Sequence, residues 1–325
     1  MPRLLLLALV LVAAGCGSGD DGDNAAAPPE PKPTAQAADF PSASGRTLPD
    51  VINGLPSGPA LAPSVSILDK GKKNRVAFAL FDDARKQLSG APVALYIGKT
   101  DGSGARGPYV ARDESLAVKT QFRSKQTATD PDAARTVYVA DVPFSRKGKY
   151  AVLGIAKLDG RLVATDPIAM EVGAKGATPP DVGDKAPVIH TQTRADVGGD
   201  LSKIDTRIPP LAQLHAVDFA DVLGEKPVVL VFATPQLCQS RVCGPVVDVA
   251  AQVQSQVGDD VAFVHQEIFN DNDVSKGYRP QLATYRLPSE PWTFVIDRSG
   301  RIVQRFEGAY SVGELQRAVA KVRGS

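Results

Sequence analysis

The chain has 325 residues, room for two ordinary domains, and a formal net charge of +1 at pH 7. A balance so close to zero, with no basic stripe interleaved with aromatics, argues against nucleic acid or any other polyanion as a partner. Three cysteines are too few for a disulfide-built scaffold. In chain order, "MPR" supplies a positive charge and "LLLLALVLVAAG" a short apolar core ending in small residues. That core is too short to cross a bilayer as a helix and predicts a secretory signal over residues 1–15.

The end of that signal, "AAGC", resembles the lipobox of bacterial lipoproteins, with Ala13 where that family more often carries leucine. The resemblance implies that Cys16 is lipidated and becomes the new N-terminus. The protein would then sit on the extracytoplasmic face of a bacterial cell membrane, with the lipid bilayer as one partner. Cys238 and Cys243 would lie outside the cytosol, where disulfides persist. Residues 16–58 are rich in Gly, Ala, Pro, Ser and Asp without apolar periodicity, and predict a flexible, partly extended tether.

Over 59–173 the texture changes. "SVSILD", "RVAFALFD", "PVALYIG", "LAVKTQFR", "TVYVADVPF", "KYAVLGIAKL" and "IAMEVG" are short β-branched and aromatic runs separated by turn residues. About seven short strands of this kind predict an antiparallel β-sandwich. In architecture alone the region resembles an immunoglobulin-like domain, without the Cys-Trp-Cys core of antibody domains. It carries no constellation of His, Cys or paired carboxylates, so the reading is a spacer or docking module. A polar linker with Pro and Gly, 174–183, predicts few contacts across it.

Over 184–325 strands and helices alternate. "PVVLVFAT" is a continuous apolar run, as expected of a strand buried on both faces. Val246, Val249, Ala250 and Val253 then recur at helical spacing, with Gly258 placed to end the helix. "VAFVHQEIF" predicts a second buried strand, and "WTFVIDRSGRIVQRF" a hairpin with glycine in its turn. Ser311 and Glu314 form a capping box for a last helix carrying Leu315, Ala318, Val319 and Val322.

The order strand, helix, strand, hairpin, helix, with "VVLVFATPQLCQSRVCGP" and "SEPWTFVIDRSGRIVQRFEG", resembles the thioredoxin superfamily. The fold class expected is therefore an α/β thioredoxin-like domain behind an all-β sandwich. The resemblance implies thiol–disulfide exchange by Cys238 and Cys243 on a protein substrate, with a second redox protein as partner and no cofactor. It also places Pro291 at the family's cis-proline, with Glu290 facing the sulfurs and Trp292 either a wall of the site or core. Four residues separate the cysteines where the family has two, and Val231 stands where the family has a buried acid.

A thiolate is the nucleophile in such exchange, and a helix N-terminus or nearby cation lowers its pKa from ~8.5. Pro245 predicts a helix start beside Cys243. Cys243 is therefore expected to be the attacking thiol, with Arg241 assisting and Cys238 resolving. Three alternatives remain open at this point. A structural bridge would contribute roughly 2 kcal/mol by closing so short a loop. "TPQLC" with "CQSRVC" is similar to Q-type peroxiredoxins, which would make Cys238 peroxidatic. His265 with Cys238 and Cys243 would resemble the ligand set of Sco-type copper chaperones.

Overall fold

The computed structural model describes residues 35–173 and 178–323. The signal, the lipobox and Cys16 lie outside the described residues. Among the described residues no helix is long and apolar enough to cross a membrane.

A short helix, α1 (Leu48–Ile52), precedes two five-stranded antiparallel sheets. Their strands are β1 (Ala60–Pro63), β2 (Lys73–Phe81), β3 (Gln87–Leu88), β4 (Val93–Gly98), β5 (Arg106–Val110), β6 (Arg112–Ser115), β7 (Thr136–Pro143), β8 (Gly148–Leu158), β9 (Arg161–Ala164) and β10 (Ile168–Val172). One sheet runs β1-β2-β7-β6 with β3 on β2, the other β10-β8-β4-β5 with β9 on β8. Val76, Phe78 and Leu80 of β2 meet Val93, Leu95 and Ile97 of β4 in one apolar cluster, so the sheets face each other as a sandwich. Two expected strands are absent. "SVSILD" runs without regular structure, and "LAVKTQFR" leads through a 3-10 turn at Thr120–Phe122 to a helix, α2 (Lys125–Thr129).

The flexible tether expected over 16–58 is corrected for its second half. Phe40, Ala43, Leu48 and Val51 are buried against Tyr96, Leu153 and Ile155, on the face of the second sheet turned away from the sandwich core. The Tyr96 hydroxyl donates to the Pro41 carbonyl at 2.7 Å. A few large apolar residues spaced through a polar composition are enough to hold this segment down, because an uncovered apolar sheet face costs about 25 cal/mol per Å².

The C-terminal unit contains α3 (Phe219–Val222), β11 (Val228–Phe232), α4 (Cys243–Val257), β12 (Ala262–Gln266), α5 (Pro280–Tyr285), β13 (Trp292–Ile296), β14 (Ile302–Glu307) and α6 (Val312–Arg323). Its sheet runs β12-β11-β13-β14, with β11 and β12 parallel and the other pairs antiparallel. Along the chain, the strand, helix, strand, hairpin and helix follow one another as the sequence predicts. Alternation along β11 sorts the layers. Val229 and Val231 face α4 and α6, while Val228, Leu230 and Phe232 face Phe219 of α3 and Tyr285 of α5. Gly258, at φ 59°, ends α4, a backbone region open to glycine at little cost. Ser311 and Glu314 make the reciprocal capping bonds at 3.2 and 3.1 Å.

The linker does not separate two independent bodies. Ala77, Val137 and Val139, on the other face of the β2–β7 pair, join the cluster formed by α4 and α6. Those two helices therefore lie between the four-stranded sheet and the sandwich. Polar ties follow the same seam. Arg75 makes a bidentate pair with Glu314, both contacts at 2.7 Å, and Glu307 accepts from the Ser66 hydroxyl and the Ile67 N–H. The Glu314 side chain is only 6% exposed, so its charge depends on Arg75. Arg75→Ala strands that carboxylate, and we expect a loss of about 3 kcal/mol, read as a lower denaturant midpoint. An unchanged midpoint would show that the seam does not contribute to stability.

Candidate active site

The cysteines lie on the loop between β11 and α4, and Cys243 is the first residue of that helix. Pro245 sits in its first turn, where a missing N–H costs nothing. Residues 243–253 of α4 are buried without interruption, and Cys243 is fully enclosed. Cys238 keeps 6% of its surface and lines a cavity of about 230 Å³. Both are free thiols.

Their polarity is the reverse of the expected one. The Cys243 thiol donates to the Cys238 sulfur, which outweighs the opposing effect of burial, and the Ser240 hydroxyl and the backbone N–H groups of Cys243 and Val242 add to it. Together they lower the Cys238 pKa to about 6. The Ser240 Oγ stands 3.2 Å from Cys238 Sγ. Cys243 is pushed well above the ordinary thiol range, first by burial, then by donating to Cys238 and by that neighbour's charge. The physical reason is directional. Unpaired N–H groups at a helix start point back out of the helix, so they serve the sulfur in the preceding loop, while the side chain of the first helical residue turns into the core. The sulfur whose surroundings favour a thiolate is therefore Cys238, where the sequence expectation favoured Cys243.

Arg241 does not assist the thiols. It occupies the left-handed region at φ 59°, and its guanidinium reaches away to Asp130 at 2.6 Å. Glu290 is coupled to the sulfurs. Burial first and the Cys238 charge second raise its carboxyl pKa, and it helps to raise that of Cys243. The Glu290–Pro291 peptide is cis. Trp292 belongs to the core, stacked on Phe294 with centroids 5.9 Å apart and its Nε1–H donating to Ser289. His265 does not join the cysteines. Its Nε2 lies 2.9 Å from the Ala233 carbonyl and its Nδ1 faces Asp205, so a Cys-Cys-His ligand set is not formed.

The sandwich supplies the other wall of the site. The segment 116–135, which the sequence suggests is partly a strand, lies over the start of α4. Ser124 donates to Asp248 through both its N–H and its hydroxyl, at 3.0 and 3.1 Å, and the Lys119 N–H donates to Gln252 at 2.6 Å. Arg207 completes the Asp248 pair at 2.9 Å. Gln126, Thr129 and Asp130 line the cavity beside Cys238, Gln236 and Arg241. Sequence reasoning missed this cap. Its one signal was Gly244, Asp248 and Gln252 at intervals of four, a small and polar stripe on a helix read only for its apolar side.

No protein-family model matches the chain, and no curated protein does. Among solved structures, a Chlorobium tepidum protein named for thiol:disulfide interchange (DsbE) is 19% identical, over 45% of this chain and 99% of its own, with a TM-score of 0.32. A thiol:disulfide interchange protein of the thioredoxin family from Chlorobium tepidum TLS is 19% identical, over 46% of this chain and 100% of its own, with a TM-score of 0.31. The filamin domain of Lin-41 is 17% identical, over 36% of this chain and 97% of its own, with a TM-score of 0.19.

Because Cys238 ionises first, its alkylation by iodoacetamide in the reduced, folded protein should rise with pH with a midpoint near 6. Cys243 should remain unmodified over that range, since its thiol stays protonated and enclosed. Mass mapping of the labelled peptide checks the order. Faster labelling of Cys243 would overturn the assignment.

Proposed function

We propose that the protein is a thiol–disulfide oxidoreductase held by a lipid anchor at Cys16 on the extracytoplasmic face of a bacterial membrane. The observation that carries the redox reading is the asymmetry of the cysteine pair, one sulfur poised as a thiolate at a cavity and the other protonated and enclosed behind it. The substrate is a protein disulfide, and a second protein dithiol restores the pair. The sandwich is read as an immunoglobulin-like module that caps the redox loop.

The chemistry follows from those two protonation states. The Cys238 thiolate attacks one sulfur of the substrate disulfide. That bond breaks, the other substrate sulfur leaves as a thiolate and takes a proton from water, and a mixed disulfide remains. Once Cys238 is bonded its charge is gone, which removes one of the effects holding the Cys243 pKa up. Cys243 then loses its proton, for which the Glu290 carboxylate is the coupled acceptor, and attacks Cys238. The second substrate thiolate departs and a Cys238–Cys243 disulfide is left. The substrate has gained two electrons and the protein has lost two. The same steps reversed oxidise a substrate dithiol.

The peroxidase alternative is not supported by the surroundings of Cys238. A carboxylate, Glu290, is coupled to its sulfur, and the loop's own arginine is committed to Asp130.

Cys243→Ser should accumulate a mixed disulfide between Cys238 and a disulfide-bonded protein substrate, because nothing resolves it. Cys238→Ser should accumulate none. Glu290→Gln should form the mixed disulfide normally and release it more slowly. If neither thiol reacts without unfolding, the pair is a structural bridge and the redox proposal fails. Cys16→Ser should shift the protein from the membrane to the soluble fraction, or leave its signal uncleaved. Persistent membrane association after signal removal would remove the anchor from the proposal.

A further inference from the structure

Asp205, His215 and His265 form a buried cluster, with side chains 0%, 1% and 0% exposed. One ligand atom from each lies within 4.8 Å of the others. The proposed redox chemistry uses none of them. The cluster joins the irregular segment before α3, which carries Asp205 and His215, to the central sheet through His265 on β12.

Its hydrogen bonding is incomplete in a specific way. His265 Nε2 lies 2.9 Å from the Ala233 carbonyl, and a carbonyl only accepts, so that nitrogen carries the proton. In the neutral ring Nδ1 then presents a lone pair to the Asp205 Oδ1, 3.6 Å away. Two electron-rich atoms facing each other in a dry interior repel unless a cation lies between them. His215 turns Nε2 to the other carboxylate oxygen, Oδ2, at 3.4 Å, and neither of its ring nitrogens has a hydrogen-bond partner. A buried polar atom left in that state costs about 1–3 kcal/mol.

A proton does not satisfy this geometry. A charge-assisted imidazolium–carboxylate bond draws its atoms to about 2.7–2.9 Å. The observed spacings match instead the edge of a tetrahedron around a small ion. Ligand bonds of about 2.0–2.1 Å give neighbouring donor atoms about 3.4 Å apart. The carboxylate is also preset for the task. Its Oδ1 accepts from the Arg207 N–H and its Oδ2 from the Leu211 N–H, both at 2.9 Å, which leaves one oxygen turned to each ring. The bond from His265 Nε2 to a backbone carbonyl is the partner that fixes a metal-ligating imidazole.

We propose that Asp205, His215 and His265 bind a divalent transition ion of the zinc class. Two imidazole nitrogens and one carboxylate oxygen give three protein donors, a nitrogen–oxygen set that suits zinc rather than calcium or magnesium. Enclosure on all sides makes the ion structural. It pins the 205–215 segment to β12 and enters as the chain folds.

The test uses the full chain. Protein unfolded with a chelator should refold with Zn(II) to retain one equivalent through dialysis, and its Tm should exceed that of protein refolded with chelator alone. Equal Tm values with no retained zinc would overturn the proposal. Refolding with Co(II) should give the visible absorption of a tetrahedral nitrogen–oxygen site. A thiolate-to-cobalt charge-transfer band would place the ion on the cysteines and overturn it as well. His215→Gln and Asp205→Asn should weaken retention roughly ten-fold or more and abolish the Tm difference. Undiminished retention in both would also overturn the assignment. If either variant fails to fold, the comparisons on the unsubstituted chain still decide.

Discussion

The structure depends on the complete burial of the first three turns of α4. A helix enclosed on every side has to be covered from two directions. Val246, Val249, Ala250 and Val253 join the cluster with Val229 and Val231 of the four-stranded sheet, and Ala77 and Val139 of the sandwich close the same cluster. Along a third line, Asp248 and Gln252 take donors from the segment 116–135. Cys243 opens this helix, so its position is fixed by packing in both units at once. Cys238, outside the helix, keeps access to the cavity and collects the free N–H groups at the helix start. The opposite acidity shifts of two chemically identical side chains follow from that difference in position.

The C-terminal half was largely legible. A fully apolar β11, the helical spacing of valines in α4, the glycine at its end and the Ser311–Glu314 cap are local signals, and each one names its element. The sandwich was legible as a class but not strand by strand. "LAVKTQFR" has β-type composition, yet its Lys119 N–H and that of the next residue, Ser124, donate to side chains of α4, contributed more than a hundred residues later. Likewise Phe40, Leu48 and Val51 sit in a polar stretch, and only the apolar sheet face they cover gives them a place. Long-range cover of this kind leaves no periodicity to read.

At the site, the sequence singled out both sulfurs but favoured the other one as the thiolate. Proximity to the helix start was a sound guide to where an anion is favoured. It does not specify whether the favoured sulfur is the helix's own first side chain or one in the loop before it, and that depends on which of the two the core encloses. Arg241 misled for a related reason. A positive residue between two cysteines invites an electrostatic role, but its left-handed backbone turns the side chain toward Asp130. His265 shows the same limit, because its partners lie on a segment with no regular pattern.

The shared cluster around α4 also bears on how such a chain changes over generations. A recombination point in the linker between the two halves would look harmless on paper, yet each half would inherit an uncovered face from the other. Exchange of the sandwich for an unrelated one would demand compensating substitutions at Ala77, Val139 and Ser124 together. A substitution on the buried faces of α4 therefore has to fit the sandwich as well as the helix's own sheet.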